Sequence, residues 1–301
     1  MLKTKFLKSI SVKAKWGIAL LLLKVIGAHS VASAQQYYDG QTGHKAKDAV
    51  VLNRINKGQV LIVSELHDNK SHHKNQRDLL IQIVRARVPV SVGMEFFDYT
   101  EQDYVDQYGQ NLIDEDVFLK LVNWGSLPFE FYRFQVRLPY YSDGRTYGLN
   151  FPRRLSGKVA QGGLEALSPD EQKLLPPNFQ LGADTYFERF SETMKGHVSE
   201  EKIKNYFAAQ SLWDDTMAWR AGEVMAANPD QILMILVGDF HVAYQDGLVA
   251  RLRARGVQNI LSISQVSTTG MTPDEKAETL NPHTRYGARA DFIFDSAVYK
   301  K

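Results

Sequence analysis

The chain has 301 residues, 44% of them hydrophobic and 23% charged, with no cysteine. That length and balance allow a sizeable core and exclude a disordered or low-complexity chain. The net charge of +2 hides an asymmetry: six lysines and no acid lie in the first 34 residues, leaving 30 Lys plus Arg against 34 Asp plus Glu, or −4, which argues against nucleic acid as a partner.

Residues 1–34 read as a cleaved secretory signal: a basic stretch (Lys3, Lys5, Lys8, Lys13, Lys15), an apolar segment from Trp16 to Leu23 that Val25-Ile26 extends past Lys24, and Ala32-Ser33-Ala34 as a small-x-small cleavage site. The apolar run is shorter than the ~20 residues a membrane span needs, and no later stretch reaches that length. The expected location is a bacterial periplasm or the exterior. Without cysteine there are no disulfides, thiolate ligands or lipid-modified Cys.

Gln35 to Gly43 reads as a loose start and Ala46 to Ile55 as a first helix. Val60-Leu61-Ile62-Val63 is a short apolar run with the character of a strand buried on both faces. It leads into Ser64-Glu65-Leu66-His67, then Asp68-Asn69 as turn and capping residues. Ser71 to Arg87 reads as a helix whose stripe of Leu79, Leu80, Ile83 and Val84 extends back to Gln76 and His72, placing both near the strand's mouth. Val88 to Glu95 is a second strand, also ending in a carboxylate, and Thr100 to Tyr108 is helical. Residues 111–141 are dense in aromatics, among them Phe118, Trp124, Phe129, Tyr132 and Tyr140. Such a run fills a core or forms a flat slot for a planar ligand, where a tyrosine could ligate iron. Arg145 to Asn150 is a short third strand.

From 156 to 200 Gly, Pro and charge rise, which suggests an inserted, mostly helical lobe. The α/β core domain would then comprise 35–155 and 201–301. Glu200 to Ala227 is a long helix with Phe207, Gln210, Asp214, Met217 and Ala221 along one face, so Asp214 is expected to be buried and partnered. Ile232 to Val237 is the most apolar strand and runs into Gly238-Asp239-Phe240-His241. A helix over 246–255 capped by Gly256, a strand at 260–263, a loop over 266–288 and an edge strand at 291–294 complete the chain. Alternating strands and helices predict an α/β fold: a parallel or mixed sheet with helices on both faces.

Two strand endings match in type: small residue, acid, apolar residue, His. If the strands are parallel in one sheet, Glu65, His67, Glu95, Asn150, Asp239 and His241 emerge on one rim, where ligands bind in open α/β sheets. This mixture suits acid–base chemistry or a divalent metal. Each residue alone has a plainer reading as a satisfied structural group or turn; the joint pattern points to a functional pocket. No P-loop, dinucleotide fingerprint, H-E-x-x-H or G-x-S-x-G is present.

Glu65-x-His67-Asp68-Asn69 with His72-His73 and Gln76, Gly93-Met94-Glu95-Phe96-Phe97, Gly148-Leu149-Asn150-Phe151-Pro152, Gln210 to Ala218, and Gly238 to Tyr244 occur in order. Together they resemble the ChaN-like haem-binding family, grouped with erythromycin-esterase-like and TIKI-like proteins. The resemblance covers about residues 46–265. It implies an exported haem- or iron-uptake protein, a homodimer enclosing a haem pair, and Tyr ligation with His assistance. Tyr132 is the first ligand candidate and Tyr244 the second, with His72 and Asn150 as further cofactor contacts. The TIKI-like relatives imply an alternative, a metal-dependent hydrolase with His67, Glu95 and His241 as metal ligands and Glu65 in the catalytic set. A metal-free variant would activate water through Glu65 and His67. Ser64 stands where the family has Gly, and no Cys is available for acylation.

Overall fold

A computed structural model describes residues 35–296; the signal segment expected at 1–34 lies outside them. In chain order the elements are β1 (Gln36–Asp39), β2 (Lys45–Ala46), α1 (Asp48–Leu52), β3 (Val60–Glu65), α2 (Lys70–Arg85), β4 (Val90–Asp98), α3 (Gln102–Gly109), α4 (Glu115–Leu121), α5 (Arg133–Arg137) and β5 (Thr146–Asn150). Then come α6 (Arg153–Gly162), α7 (Pro169–Gln172), α8 (Asp184–Met194), α9 (Glu200–Ala227), β6 (Ile232–Gly238), α10 (Leu248–Ala254), β7 (Ile260–Val266), α11 (Pro273–Leu280) and β8 (Phe292–Asp295).

The strands form one mixed sheet in the order β2-β1-β8-β7-β3-β6-β4-β5. β8, β7, β3, β6, β4 and β5 run parallel to one another, while β1 pairs antiparallel with β8 and β2. Every residue of β3 and β6 is buried, as central parallel strands require. Strand alternation divides their side chains between two cores. Leu61, Val63, Met94, Met234 and Leu236 pack on one face with Leu79, Leu80 and Ile83 of α2 and the aromatic run. Val60, Ile62, Leu233, Ile235 and Val237 pack on the other, under Met217, Ala218 and Ala221 of α9 and Leu248 and Leu252 of α10. α9, about 42 Å long by helical rise, also receives α6 through Leu155 and Val159 and α8 through Tyr186 and Phe190.

Three local expectations are corrected. Gln36–Asp39, read as a loose start, is β1: its partner β8 lies more than 250 residues away, so no local pattern announces it. For the same reason β8, expected at an edge, is an interior strand that β1 covers. The stretch 266–288, read as a loop, contains α11, opened by a reciprocal cap in which Thr272 accepts from Glu275 N–H and the Glu275 carboxylate from Thr272 N–H. With Pro273 in the first turn, this Thr-Pro-x-Glu signature was readable. α2 begins at Lys70, capped by Asn69, whose side chain accepts from Ser71 N–H at 3.0 Å.

The centre of the sheet carries the stability. Leu236→Ala, at a fully buried position in β6, should lower unfolding free energy by about 2–5 kcal/mol, read from the midpoint of chemical denaturation with an unchanged slope.

Candidate functional site

β3, β6 and β4 are consecutive in the sheet and parallel, so their carboxyl ends share one rim. Glu65 closes β3 opposite Gly238, which closes β6. Glu95 lies in β4 beside them. Gly238 is closely approached: a Cβ there would lie 3.0 Å from His67 Cε1 and 3.5 Å from Glu95 Oε2. Gly238 N–H donates to Glu95 Oε2 at 2.6 Å. The chain then makes a short 3₁₀ turn, Asp239–His241, which brings His241 back over the rim.

His241 sits between two carboxylates. Its Nδ1 donates to Asp214 Oδ1 of α9 at 2.7 Å, and its Nε2 lies 3.4 Å from Glu95 Oε1. Tyr186 of α8 donates to the other Asp214 oxygen at 2.7 Å and is itself approached by Gln210 Nε2 at 3.1 Å. Burial works against the imidazolium, but Asp214 and then Glu95 outweigh it and lift the His241 pKa to about 10. Burial likewise works against the Glu95 carboxylate; His241, His67 and the Gly238 N–H overcome it and hold its pKa at about 2.

A second network surrounds Glu65. Tyr132 donates to Oε1, His67 Nδ1 lies 3.0 Å from that oxygen, and Gln76 donates to Oε2 at 2.8 Å. The hydrogen bond to Glu65 is the main reason the His67 pKa is raised; burial opposes it. His67 remains the open member, with 42% of its side chain exposed. A third network ties Asp239 to Ser64 and Ser264, each at 2.6 Å, and to the Arg289 guanidinium.

These groups face a cavity of about 740 Å³ bounded by Glu65, His67, Glu95 and His241 at one side, by Tyr244, Arg189 and Arg289 at another, and by Leu66, Leu127, Phe190, Met194, Trp213 and Phe240 as apolar wall. That volume falls in the range of about 300–1,000 Å³ typical of small-molecule and cofactor sites. The rim brings Glu65, His67, Glu95 and His241 together, and Tyr244 joins them.

Tyr132, His72 and Asn150 are not part of the lining. Tyr132 is fully buried behind Glu65, and burial and that carboxylate drive its phenol far from ionisation. His72 is fully buried; it accepts from Leu66 N–H at 3.0 Å through Nδ1 and donates to Val266 O at 3.1 Å through Nε2. Asn150 bridges Glu95 O and Phe151 N–H at 3.0 and 2.8 Å. Among the described residues, no group of three or more His, Asp or Glu is arranged to hold a metal ion. His67, Glu95 and His241 are adjacent, but the lone pairs of Glu95 and the ring nitrogens of His241 are spent on one another, on Asp214 and on Gly238.

Sequence reasoning missed Arg189, Arg289, Phe190, Met194 and Phe240 as lining residues. Gln210 and Asp214 were visible as one face of α9. The two arginines carry no local signal, because their partners lie about 25 to 57 residues away.

The His241 cluster sets a pH dependence. His241 in the unfolded chain titrates near 6.5 and Glu95 near 4.5. The raised pKa of His241 contributes fully below about 6.5 and is lost as pH rises towards about 10; the depressed pKa of Glu95 contributes above about 4.5 and is lost as pH falls towards about 2. Between pH 7 and 9 the unfolding free energy of His241→Gln should therefore fall less steeply than that of the wild type, by about 1.4 kcal/mol per pH unit. Equal slopes in denaturation series at pH 7, 8 and 9 would remove His241 as the buried cation.

Residues 51–252 match the family model described as haem-binding uptake, Tiki superfamily, ChaN. The solved structure "Cofacial heme binding to ChaN of Campylobacter jejuni" superposes with a TM-score of 0.62 at 17% identity, covering 89% of this chain and 97% of that one. A Bacillus cereus protein gives 0.47 at 9% identity, covering 88% and 97%. An erythromycin esterase mutant in its open conformation gives 0.46 at 11%, covering 74% and 72%. No curated protein matches the chain. With two thirds of its length matched by the family model and the α/β fold shared with ChaN, the chain belongs to the haem-binding uptake family of the Tiki superfamily, ChaN.

Proposed function

We propose that this protein binds haem in the cavity between the strand rim and α8, with Tyr244 as the iron ligand and His67 as the assisting imidazole. One observation carries the reading. A largely apolar cavity of about 740 Å³ presents one phenol and one half-open imidazole among aliphatic and aromatic walls. Haem is a flat apolar ring with an iron that accepts phenolate oxygen or imidazole nitrogen, so the donor set fits the group. Haem when bound supplies that ligatable iron; the chain's residues bind and orient it. Glu65 holds Nδ1 of His67, which leaves Nε2 as the free ring nitrogen. Arg289 lies 5.5 Å from the Tyr244 ring and places a cation beside its phenol.

Tyr244 replaces Tyr132 as the first ligand candidate, because the Tyr132 hydroxyl is buried and committed to Glu65. A role in haem or iron uptake follows the family's description. Export to a periplasm or the exterior rests on the basic, apolar and small-residue pattern of residues 1–34. A homodimer enclosing two haems would extend to this chain the cofacial binding that the ChaN structure's title states. The hydrolase alternative gains no support from the rim, whose donors are committed to one another rather than gathered for a metal ion.

Absorption titration of the chain without residues 1–34 with haem tests the proposal. The wild type should give a saturable, shifted Soret band with a stoichiometry of one or two haems per chain. Tyr244→Phe should change the spectrum and weaken binding about tenfold or more. Tyr132→Phe should keep the spectrum and lose about 1.5–3 kcal/mol of stability, the usual worth of a hydrogen bond to a charged group. No spectral change with stoichiometric haem in the wild type would end the haem reading.

A further inference from the structure

α8 carries a buried cation whose hydrogen-bond and charge partners all belong to the segment that follows β6. The Arg189 Nη2 donates to Ala243 O at 3.0 Å and to Phe240 O at 3.3 Å. The same guanidinium pairs with Asp246 through Nη2 at 2.5 Å and Nε at 3.3 Å. Its carbon stands 4.3 Å from the Phe240 ring centroid, 5.2 Å from that of Tyr186 and 5.3 Å from that of Tyr244. One side chain thus grips two carbonyls, a carboxylate and three aromatic faces.

The segment it grips is in an unfavourable conformation. Tyr244 (φ 62°) and Gln245 (φ 61°) are successive non-glycine residues in the left-handed region. Side chains with a Cβ stay there only when their surroundings over-determine the backbone, and such positions cluster at ligand sites. Two backbone bonds hold the pair, Tyr244 N–H to Arg289 O at 2.7 Å and Gln245 N–H to Val242 O at 2.9 Å; the Tyr244 ring packs on His283, Tyr286 and Arg289, and Arg253 donates to Gln245 Oε1 at 2.9 Å. Arg189 adds a hold on the backbone carbonyls at 240 and 243 and on Asp246, and it does so from the helix that also contributes Phe190, Thr193 and Met194 to the cavity wall.

We propose that Arg189 is a positioning residue for Tyr244, tethering α8 to the 240–246 turn so that the Tyr244 ring is held at the cavity wall. The inference rests on the haem reading for its functional consequence. The tether itself stands on contacts alone. Lysine is a point charge and cannot span two carbonyls and a carboxylate as the guanidinium fork does, so Arg189→Lys retains the charge and removes the grip. Asp246→Asn is the milder variant, keeping both carbonyl contacts and weakening the anchor.

Hydrogen exchange on haem-free protein, read alongside haem absorption spectra, decides the matter. In Arg189→Lys the amides of Tyr244 and Gln245 should exchange faster than in the wild type while those of β3 and β6 do not change; Asp246→Asn should show a smaller change of the same sign. Haem bound to Arg189→Lys should shift its spectrum towards that of Tyr244→Phe and bind about 10–100-fold more weakly, the usual cost of losing an outer-shell partner. Unchanged exchange in both variants overturns the tether whatever haem does. Faster exchange with wild-type spectrum and affinity overturns the link to Tyr244, as does a uniform loss of protection across the sheet, which would mark a purely structural arginine. A wild type that takes up no haem defeats the haem reading and the positioning role with it, while the exchange result still decides the tether.

Discussion

A protonated imidazole buried between two carboxylates is the constraint on which the rim depends. Two acids brought as close as Asp214 and Glu95 out of water would repel and be costly to desolvate. His241 meets both, at 2.7 and 3.4 Å, and so joins α9, β4 and the turn after β6 through charge. The shifts follow from mutual need: both carboxylates favour the imidazolium and the imidazolium favours the Glu95 carboxylate, so His241 and Glu95 stay ionised where burial alone would neutralise them. Gly238 leaves room for His67, which a side chain there would press upon.

The same logic of paired burial recurs around the cavity. Glu65 is surrounded by the donors Tyr132, Gln76 and His67, Asp239 by two serines and Arg289, and Arg189 by Asp246 and two carbonyls. Charges in the floor and walls are largely committed to one another. What remains open to a ligand is the His67 edge, the Tyr244 ring and the apolar wall between them. A site of this kind is built to hold and orient a large apolar ligand by shape and one or two donor atoms, rather than by a cluster of free charges.

The aromatic run at 111–141 shows how composition and placement part company. Tyr108 and Phe118 stack at 4.4 Å, Phe97 and Trp124 pack at 5.7 Å, and Tyr132 lies 4.6 Å from Phe96. These rings fill the core beside β4, whereas Phe134 and Tyr141 of the same run lie exposed. The Tyr132 hydroxyl reaches out of the core to hold Glu65. The aromatic rings in the cavity wall come from other elements, Trp213 of α9 and Phe240 and Tyr244 after β6.

What could be read from the chain alone was whatever local periodicity encodes. Continuous apolar runs at 60–63 and 232–237 marked strands buried on both faces, and the acid-x-His endings marked their common rim, because parallel neighbours in one sheet must finish on the same side. The stepped face of α9 placed Asp214 inside. Contacts across long sequence separation decided the rest. β1 and the interior position of β8 come from a pairing between the two ends of the described chain; packing leaves the Tyr244 ring at the cavity and buries the Tyr132 phenol; and the arginines at 189 and 289 take their partners from groups that only folding brings near. Periodicity is a property of neighbours along the backbone. Which polar atom is left facing a cavity depends on how several elements pack together, and no stretch of sequence carries that by itself.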